Sequence, residues 1–126
     1  PALQAGKVVL SDRYVDSSIA YQAYGRGLGD MVAQVNAIAT GGLVPDLTIF
    51  LDLPPAVGMA RKQQEENHEL DRLEQEKLEF HQKVYEGYDA LCKKEPERIC
   101  RIDASGTIEE VFGQIKAALD ELLDRA

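Results

Sequence analysis

Three short apolar runs, each followed by a stretch of helical periodicity, constrain this chain more than any other feature. Lys7 to Leu10 is the first, Leu47-Thr48-Ile49-Phe50-Leu51-Asp52-Leu53 the second, and Ile99 to Ile102 the third. A near-continuous apolar run suits a strand covered on both faces, because neither face turns to solvent. Strand and helix in alternation is the pattern of a parallel sheet joined by right-handed crossovers. The expectation is an α/β chain with three parallel strands and flanking helices, forming a single domain over residues 1–126. Three strands is thin for that architecture, since a buried parallel sheet needs neighbours.

The connecting segments carry helix signals. Val15 to Tyr24 is helical by the spacing of Ile19, Ala20, Ala23 and Tyr24, with Asp16 or Ser17 as the N-cap. Gly25-Arg26-Gly27-Leu28-Gly29 breaks it, and Asp30 opens a second helix, Met31 to Thr40, stopped by Gly41-Gly42. Pro54-Pro55 ends the second strand and suits the first turn of a helix from about Ala56 to Lys62. Gln63 to Asp71 is polar and nearly free of aliphatic anchors, which fits a solvated loop or a frayed helix end. Leu73, Phe80, Val84, Tyr88 and Leu91 then mark one apolar face of a long helix. Thr107 and Glu110 form a capping box for the last helix. Ile108, Val111, Phe112, Ile115, Leu119 and Leu122 predict a buried stripe along it.

Charge and cysteine content narrow the function classes. A net charge of −8 argues against general binding to nucleic acid or to anionic membrane, although a local basic pocket remains compatible with it. Cys92 and Cys100 have no metal-ligand spacing and read as free thiols of a reducing cytoplasm. No apolar run reaches membrane-spanning length, and no signal peptide opens the chain. His68 and His81 have no partner spacing for metal binding or nucleophilic chemistry and read as surface residues.

The chemistry gathers at Ser11-Asp12-Arg13-Tyr14, directly after the first apolar run. In a parallel sheet, ligands meet the chain where a strand ends and a helix begins. Asp12 can hold a metal ion through its water shell, and the Arg13 guanidinium is a planar fork of donors matched to a phosphate. An Asp–Arg ion pair closing a strand would use the same two residues, so the pair alone does not decide. Three glycines around Arg26 let that loop approach a ligand closely.

Taken in order, further residues carry a resemblance. Asp12-Arg13-Tyr14, Ser17-Ser18-x-Ala20-Tyr21-Gln22, Gly25-Arg26-Gly27, Pro45-Asp46-Leu47-Thr48 before Phe50-Leu51-Asp52, Asp71-Arg72-Leu73-Glu74, and Asp103-Ala104-Ser105 resemble bacterial thymidylate kinase over nearly the whole chain. The resemblance implies a P-loop, nucleoside-monophosphate-kinase-like fold and covers only the C-terminal part of the family's polypeptide. No Gly-x-x-x-x-Gly-Lys-Ser/Thr sequence, the loop that cradles donor phosphates, occurs in these residues. The aromatic and arginine that the family sets over the thymine are absent as well. The chain therefore reads as a truncated piece.

What the resemblance implies is transfer of the ATP γ-phosphate to thymidine 5′-monophosphate, with Mg²⁺, in a cytoplasmic homodimer that binds neither nucleic acid nor membrane. Arg13 is similar to the arginine that grips the acceptor phosphate and Asp12 to the carboxylate near magnesium. Ser18 and Gln22 match positions that hydrogen-bond the thymine edge. Tyr21 matches an aromatic whose bulk excludes a 2′-hydroxyl, and Arg26 falls on the same acceptor side. Residues 63–71 resemble the lid, from which Arg72, joined by Arg61, approaches the transferred phosphate. Ser105 lies in the loop similar to the one against the donor adenine. The alternatives are a catalytically silent fragment that keeps part of the acceptor site, or a kinase for another small phosphate acceptor.

Overall fold

The computed structural model describes residues 1–66 and 72–125, with the backbone alone at 65–66 and 72–74. Its elements run α1 (Val15–Ser18), a π-helical stretch continuous with it (Ile19–Gly25), α2 (Met31–Thr40), β1 (Thr48–Asp52), α3 (Pro55–Glu66), α4 (Arg72–Lys94), β2 (Ile99–Asp103) and α5 (Ile108–Arg125). The two strands pair in parallel, from Thr48 opposite Ile99 to Asp52 opposite Asp103. Among the described residues, no helix is long and apolar enough to cross a membrane.

The sheet has two strands rather than the three expected. Lys7 to Leu10 forms no ladder, and Val8 and Leu10 are 78% and 87% exposed. The reason is pairing: a strand exists only where another strand takes up its N–H and C=O groups. Within the described residues β1 pairs on one side only, with β2, and the 7–10 segment reaches neither.

The core lies where α4 crosses the sheet. Leu91, Cys92 and Ile99 form its centre, with Ile19 and Phe50 packed on it. Val84, Leu91, Phe80 and Tyr88 turn to the inner side of α4 in varying degree, as the helical spacing predicts, whereas Leu73 lies outside the described side chains. Phe50 stacks on Tyr88 with ring centroids 4.9 Å apart. Cys92 is buried, Cys100 is half-buried, and both are free thiols; burial pushes the Cys92 thiol up from its ordinary pKa.

Three helix boundaries follow their sequence signals. Gly41 takes up a left-handed conformation after α2, and the Gly42 N–H closes back on the Ala37 carbonyl, so glycine ends this helix for the expected reason. Thr107 Oγ1 accepts from the Glu110 N–H while Glu110 Oε2 accepts from the Thr107 N–H, completing the capping box. Proline stands at the first position of α3. That helix persists to Glu66, so residues 63–66 of the expected lid are helical, while 67–71, including His68, lie outside the described residues.

The α5 stripe departs from expectation. Ile108 and Phe112 are 86% and 62% exposed, and Val111, Ile115, Leu119 and Leu122 are only half-buried. The helix packs beside β2, and a two-stranded sheet is too narrow to cover an apolar face of that length.

Candidate substrate cleft

The helix that follows Tyr14 carries the candidate site. Its first turn is α-helical, but from Ile19 to Gly25 the hydrogen bonding widens to a π pattern, and the Arg26 N–H reaches back to the Tyr21 carbonyl at 3.0 Å. Such turns recur at functional sites because they re-aim side chains relative to a regular helix. The stretch is held against α4 by close approach. A Cβ on Gly87 would lie 3.0 Å from the Ala20 backbone, and one on Gly25 would lie 2.8 Å from the Phe80 ring.

Along one side of this helix opens a cleft of about 450 Å³. Arg13, Ser18, Tyr21, Gln22 and Arg26 all line it, so the five residues expected on the acceptor side come together in space. Asn36 and Thr40 of α2 line it as well. The Arg13 guanidinium lies over the Tyr21 ring, 5.1 Å from its centroid, and Tyr21 in turn meets Phe80 edge-on at 6.0 Å. Arg26 lies over the other partner of that pair, 5.7 Å from the Phe80 centroid. Two cations are thus set on a chain of aromatic rings, with a hydroxyl and an amide beside them.

Arg13 sits in a strained backbone. Its φ of 66° places a non-glycine residue in the left-handed region, at a cost of about 1–2 kcal/mol. Ser11 Oγ donates to the Arg13 carbonyl at 2.7 Å and so braces that conformation. Strain of this kind is retained where geometry matters more than stability.

The remaining expected residues fall elsewhere. Asp12 is exposed next to Arg13 and is not part of the cleft lining. Arg61 and Ser105 are joined directly: the Arg61 guanidinium donates to the Ser105 carbonyl at 2.7 Å and to the Ala104 carbonyl at 3.3 Å. Asp103 accepts from the Ser105 N–H and hydroxyl, which shapes that loop and holds its carboxyl below the usual carboxylate range. Arg72 opens α4, and its side chain lies outside what the structure describes.

Sequence reasoning missed the polar anchor of this region. Asp16, expected as an N-cap, makes no cap; it is 4% exposed and forms a two-pronged ion pair with Arg98, Oδ1 to Nη2 and Oδ2 to Nη1 both at 2.8 Å. The Thr48 hydroxyl donates to Asp16 Oδ2 at 2.9 Å, and Glu95 takes a second pair of donors from Arg98 at 2.7 and 3.2 Å. With two carboxylates as hydrogen-bond partners, the Arg98 pKa rises above even its ordinary value. Ser17, the other expected cap, instead shares a 2.7 Å hydrogen bond with the Tyr88 hydroxyl. The available signal was Arg98 itself, a cation directly before a buried strand, where an unpaired charge would be costly.

A parallel α/β chain with two arginines, hydroxyls and an amide around one cleft has the equipment of a protein that binds a small phosphorylated ligand. Comparison with known families makes this specific. The family model for thymidylate kinase matches residues 1–115, and the chain belongs to the thymidylate kinase family. It is 51% identical, over 100% of its length, to a thymidylate kinase of Synechococcus sp. (strain JA-2-3B'a(2-13)). It is 57% identical, over 97% of its length, to one from Lactobacillus delbrueckii subsp. bulgaricus, and 56% identical, over 90%, to one from Latilactobacillus sakei. The chain spans 59%, 60% and 54% of those three relatives respectively.

Proposed function

We propose that this chain supplies the acceptor side of a thymidylate kinase, which transfers the γ-phosphate of ATP to thymidine 5′-monophosphate. The observation that carries the reading is the convergence of Arg13, Ser18, Tyr21, Gln22 and Arg26 on one cleft. Arg13 grips the acceptor phosphate with its fork of donors, and Tyr21 beneath it limits the freedom of the guanidinium before the ligand arrives. Ser18 and Gln22 hydrogen-bond the thymine edge, and the Tyr21 ring fills the space a 2′-hydroxyl would need. Arg26 adds positive charge at the rim.

An oxygen of the acceptor phosphate forms the new bond to the γ-phosphorus as the bond to the ADP oxygen breaks, and no covalent enzyme intermediate is involved. Such a reaction needs alignment and charge neutralisation more than it needs a reactive side chain. Arg72, entering from the lid, meets the transferred phosphate. Arg61 and Ser105, already joined, lie on the donor side. Magnesium takes one or two carboxylates together with substrate phosphates, and an exposed Asp12 beside the phosphate-gripping Arg13 fits that donor set. The ion supplies neutralisation of the phosphate charge. Among the described residues no cluster of three or more His, Cys, Asp or Glu offers an all-protein cage. The family resemblance supports a cytoplasmic homodimer.

These residues contain no phosphate-cradling glycine loop, so alone they are expected to bind the acceptor without transferring phosphate. A coupled ADP-release assay on this chain and on a version extended at its N-terminus tests both statements. Turnover with thymidine 5′-monophosphate in the extended version alone is the expected result. An extended version that ignores this substrate and phosphorylates another monophosphate would overturn the acceptor assignment.

A further inference from the structure

We infer that Arg98, acting through Asp16, is a positioning residue for the substrate cleft. The inference rests on the acceptor reading above for its ligand and on geometry for the rest. Asp16 lies in the first turn of the helix whose later residues, Ser18, Tyr21 and Gln22, line the cleft. Arg98 stands in the turn before β2 and lines no part of the cleft. Its backbone carbonyl accepts from the Thr48 N–H at 2.9 Å, so the arginine is fixed to the start of both strands. Its side chain then reaches Asp16 through two parallel hydrogen bonds of 2.8 Å, and the Thr48 hydroxyl bonds both partners at 2.9 Å.

A two-pronged contact fixes direction as well as distance, which a single charge–charge attraction does not. The rest of the helix is held by the buried Ala20, by Ile19 against the core, by the close approaches at Gly25 and Gly87, and by one hydrogen bond between Ser17 and Tyr88. Apolar packing has no directional preference and a single hydrogen bond can pivot, so these contacts tolerate some rotation about the helix axis. The Asp16–Arg98 fork does not, and rotation is the motion that would carry Tyr21 out from under Arg13. Glu95 serves the same end: it occupies the remaining donors of Arg98 and keeps the guanidinium plane aimed at Asp16.

The test uses Arg98→Met, Arg98→Lys and Asp16→Asn in the N-terminally extended version, with Leu122→Ala in α5 as a control that lowers stability far from the cleft. The expected result for Arg98→Met is a rise of tenfold or more in KM for thymidine 5′-monophosphate, with KM for ATP within twofold of the parent. Arg98→Lys restores the charge without the fork and recovers only part of the loss. A lowered Tm with both KM values unchanged would show a merely structural role and overturn the inference. The Tyr21 ring resonances, read by NMR in this chain, decide the matter without any turnover. They shift in Arg98→Met but stay in place in Leu122→Ala, and coincidence of the Arg98→Met and parent signals would also overturn it. If the parent fails to phosphorylate thymidylate, the acceptor reading falls while the ring signals still judge the positioning. Should Arg98→Met not fold, Arg98→Lys and Asp16→Asn carry the same comparison.

Discussion

Replacing Gly87 with alanine sets two opposed effects against each other. In the interior of α4, alanine is favoured over glycine by about 1 kcal/mol, because it gives up less backbone freedom on folding. Against this, the new Cβ would sit 3.0 Å from the Ala20 Cα and 3.0 Å from Cβ and Cδ2 of Tyr24. The first of these is backbone and cannot rotate away, so the two helices must separate. Overpacking of this kind costs roughly 1–3 kcal/mol. The clash wins, for a net loss of up to about 2 kcal/mol. At roughly 4 °C per kcal/mol for a chain of this size, Tm falls by as much as about 8 °C. Gly113, inside α5, is the internal control, since nothing lies within 4 Å of an added Cβ there. Gly113→Ala keeps the helix gain and raises Tm by about 4 °C. Paired thermal melts by circular dichroism read both. A Gly87→Ala protein that gains stability as Gly113→Ala does would refute the close packing of α4 on the cleft helix.

Three further outcomes are expected. Arg13→Ala removes a charge-assisted contact worth about 1.5–3 kcal/mol, so KM for thymidine 5′-monophosphate in the extended version rises roughly 10- to 100-fold; unchanged turnover at low thymidylate would remove Arg13 from the acceptor site. Tyr21→Ala opens the space beneath Arg13 and relaxes discrimination against the ribose substrate, and an intact deoxy preference in competition assays would leave Tyr21 a packing residue. Glu95 is held below its ordinary pKa of 4.5, first by its hydrogen bonds to Arg98. A lowered folded-state pKa means that the carboxylate stabilises the fold above that ordinary value, and that this contribution is lost as pH falls below 4.5 through the folded-state pKa. The Tm difference between the parent and Glu95→Gln should therefore shrink on acidification through that range, and a difference independent of pH would contradict the pairing.

The extent to which the sequence was legible followed the range of the interactions involved. Helix boundaries set by neighbours in the chain, such as Thr107 with Glu110 or Gly41 after Thr40, stand as expected, because both partners of each contact lie within a few residues. The five cleft residues stand on one helix and the loops flanking it, so their convergence was also close to local. Long-range partners were not legible. Asp16 has the composition of an N-cap, and only the approach of Arg98, 82 positions away, turns it into half of a buried ion pair. Ser17 was diverted in the same way by Tyr88, 71 positions away. The first apolar run failed for a different reason: Val8 to Leu10 has strand composition, but a strand is a property of two segments, and no neighbour within the described residues takes up its hydrogen bonds. The π turn was hidden too, since Ile19 to Gly25 has the spacing of an ordinary helix and widens where Gly25 meets Phe80.

These long-range contacts explain how a cleft can be built on a helix that buries so little. Hydrophobic burial is roughly proportional to area and carries no directional preference. Ala20 and the half-buried Ile19 can hold the helix against α4, but they cannot by themselves choose which of its faces meets the cleft. Direction comes from contacts that tolerate only one arrangement. The Asp16–Arg98 fork sets the first turn, the Ser17–Tyr88 hydrogen bond sets the next residue, and the glycine gaps at Gly25 and Gly87 admit the helix at a single depth. Phe80 then serves both sides, closing on Gly25 beneath the helix and meeting Tyr21 and Arg26 at the cleft.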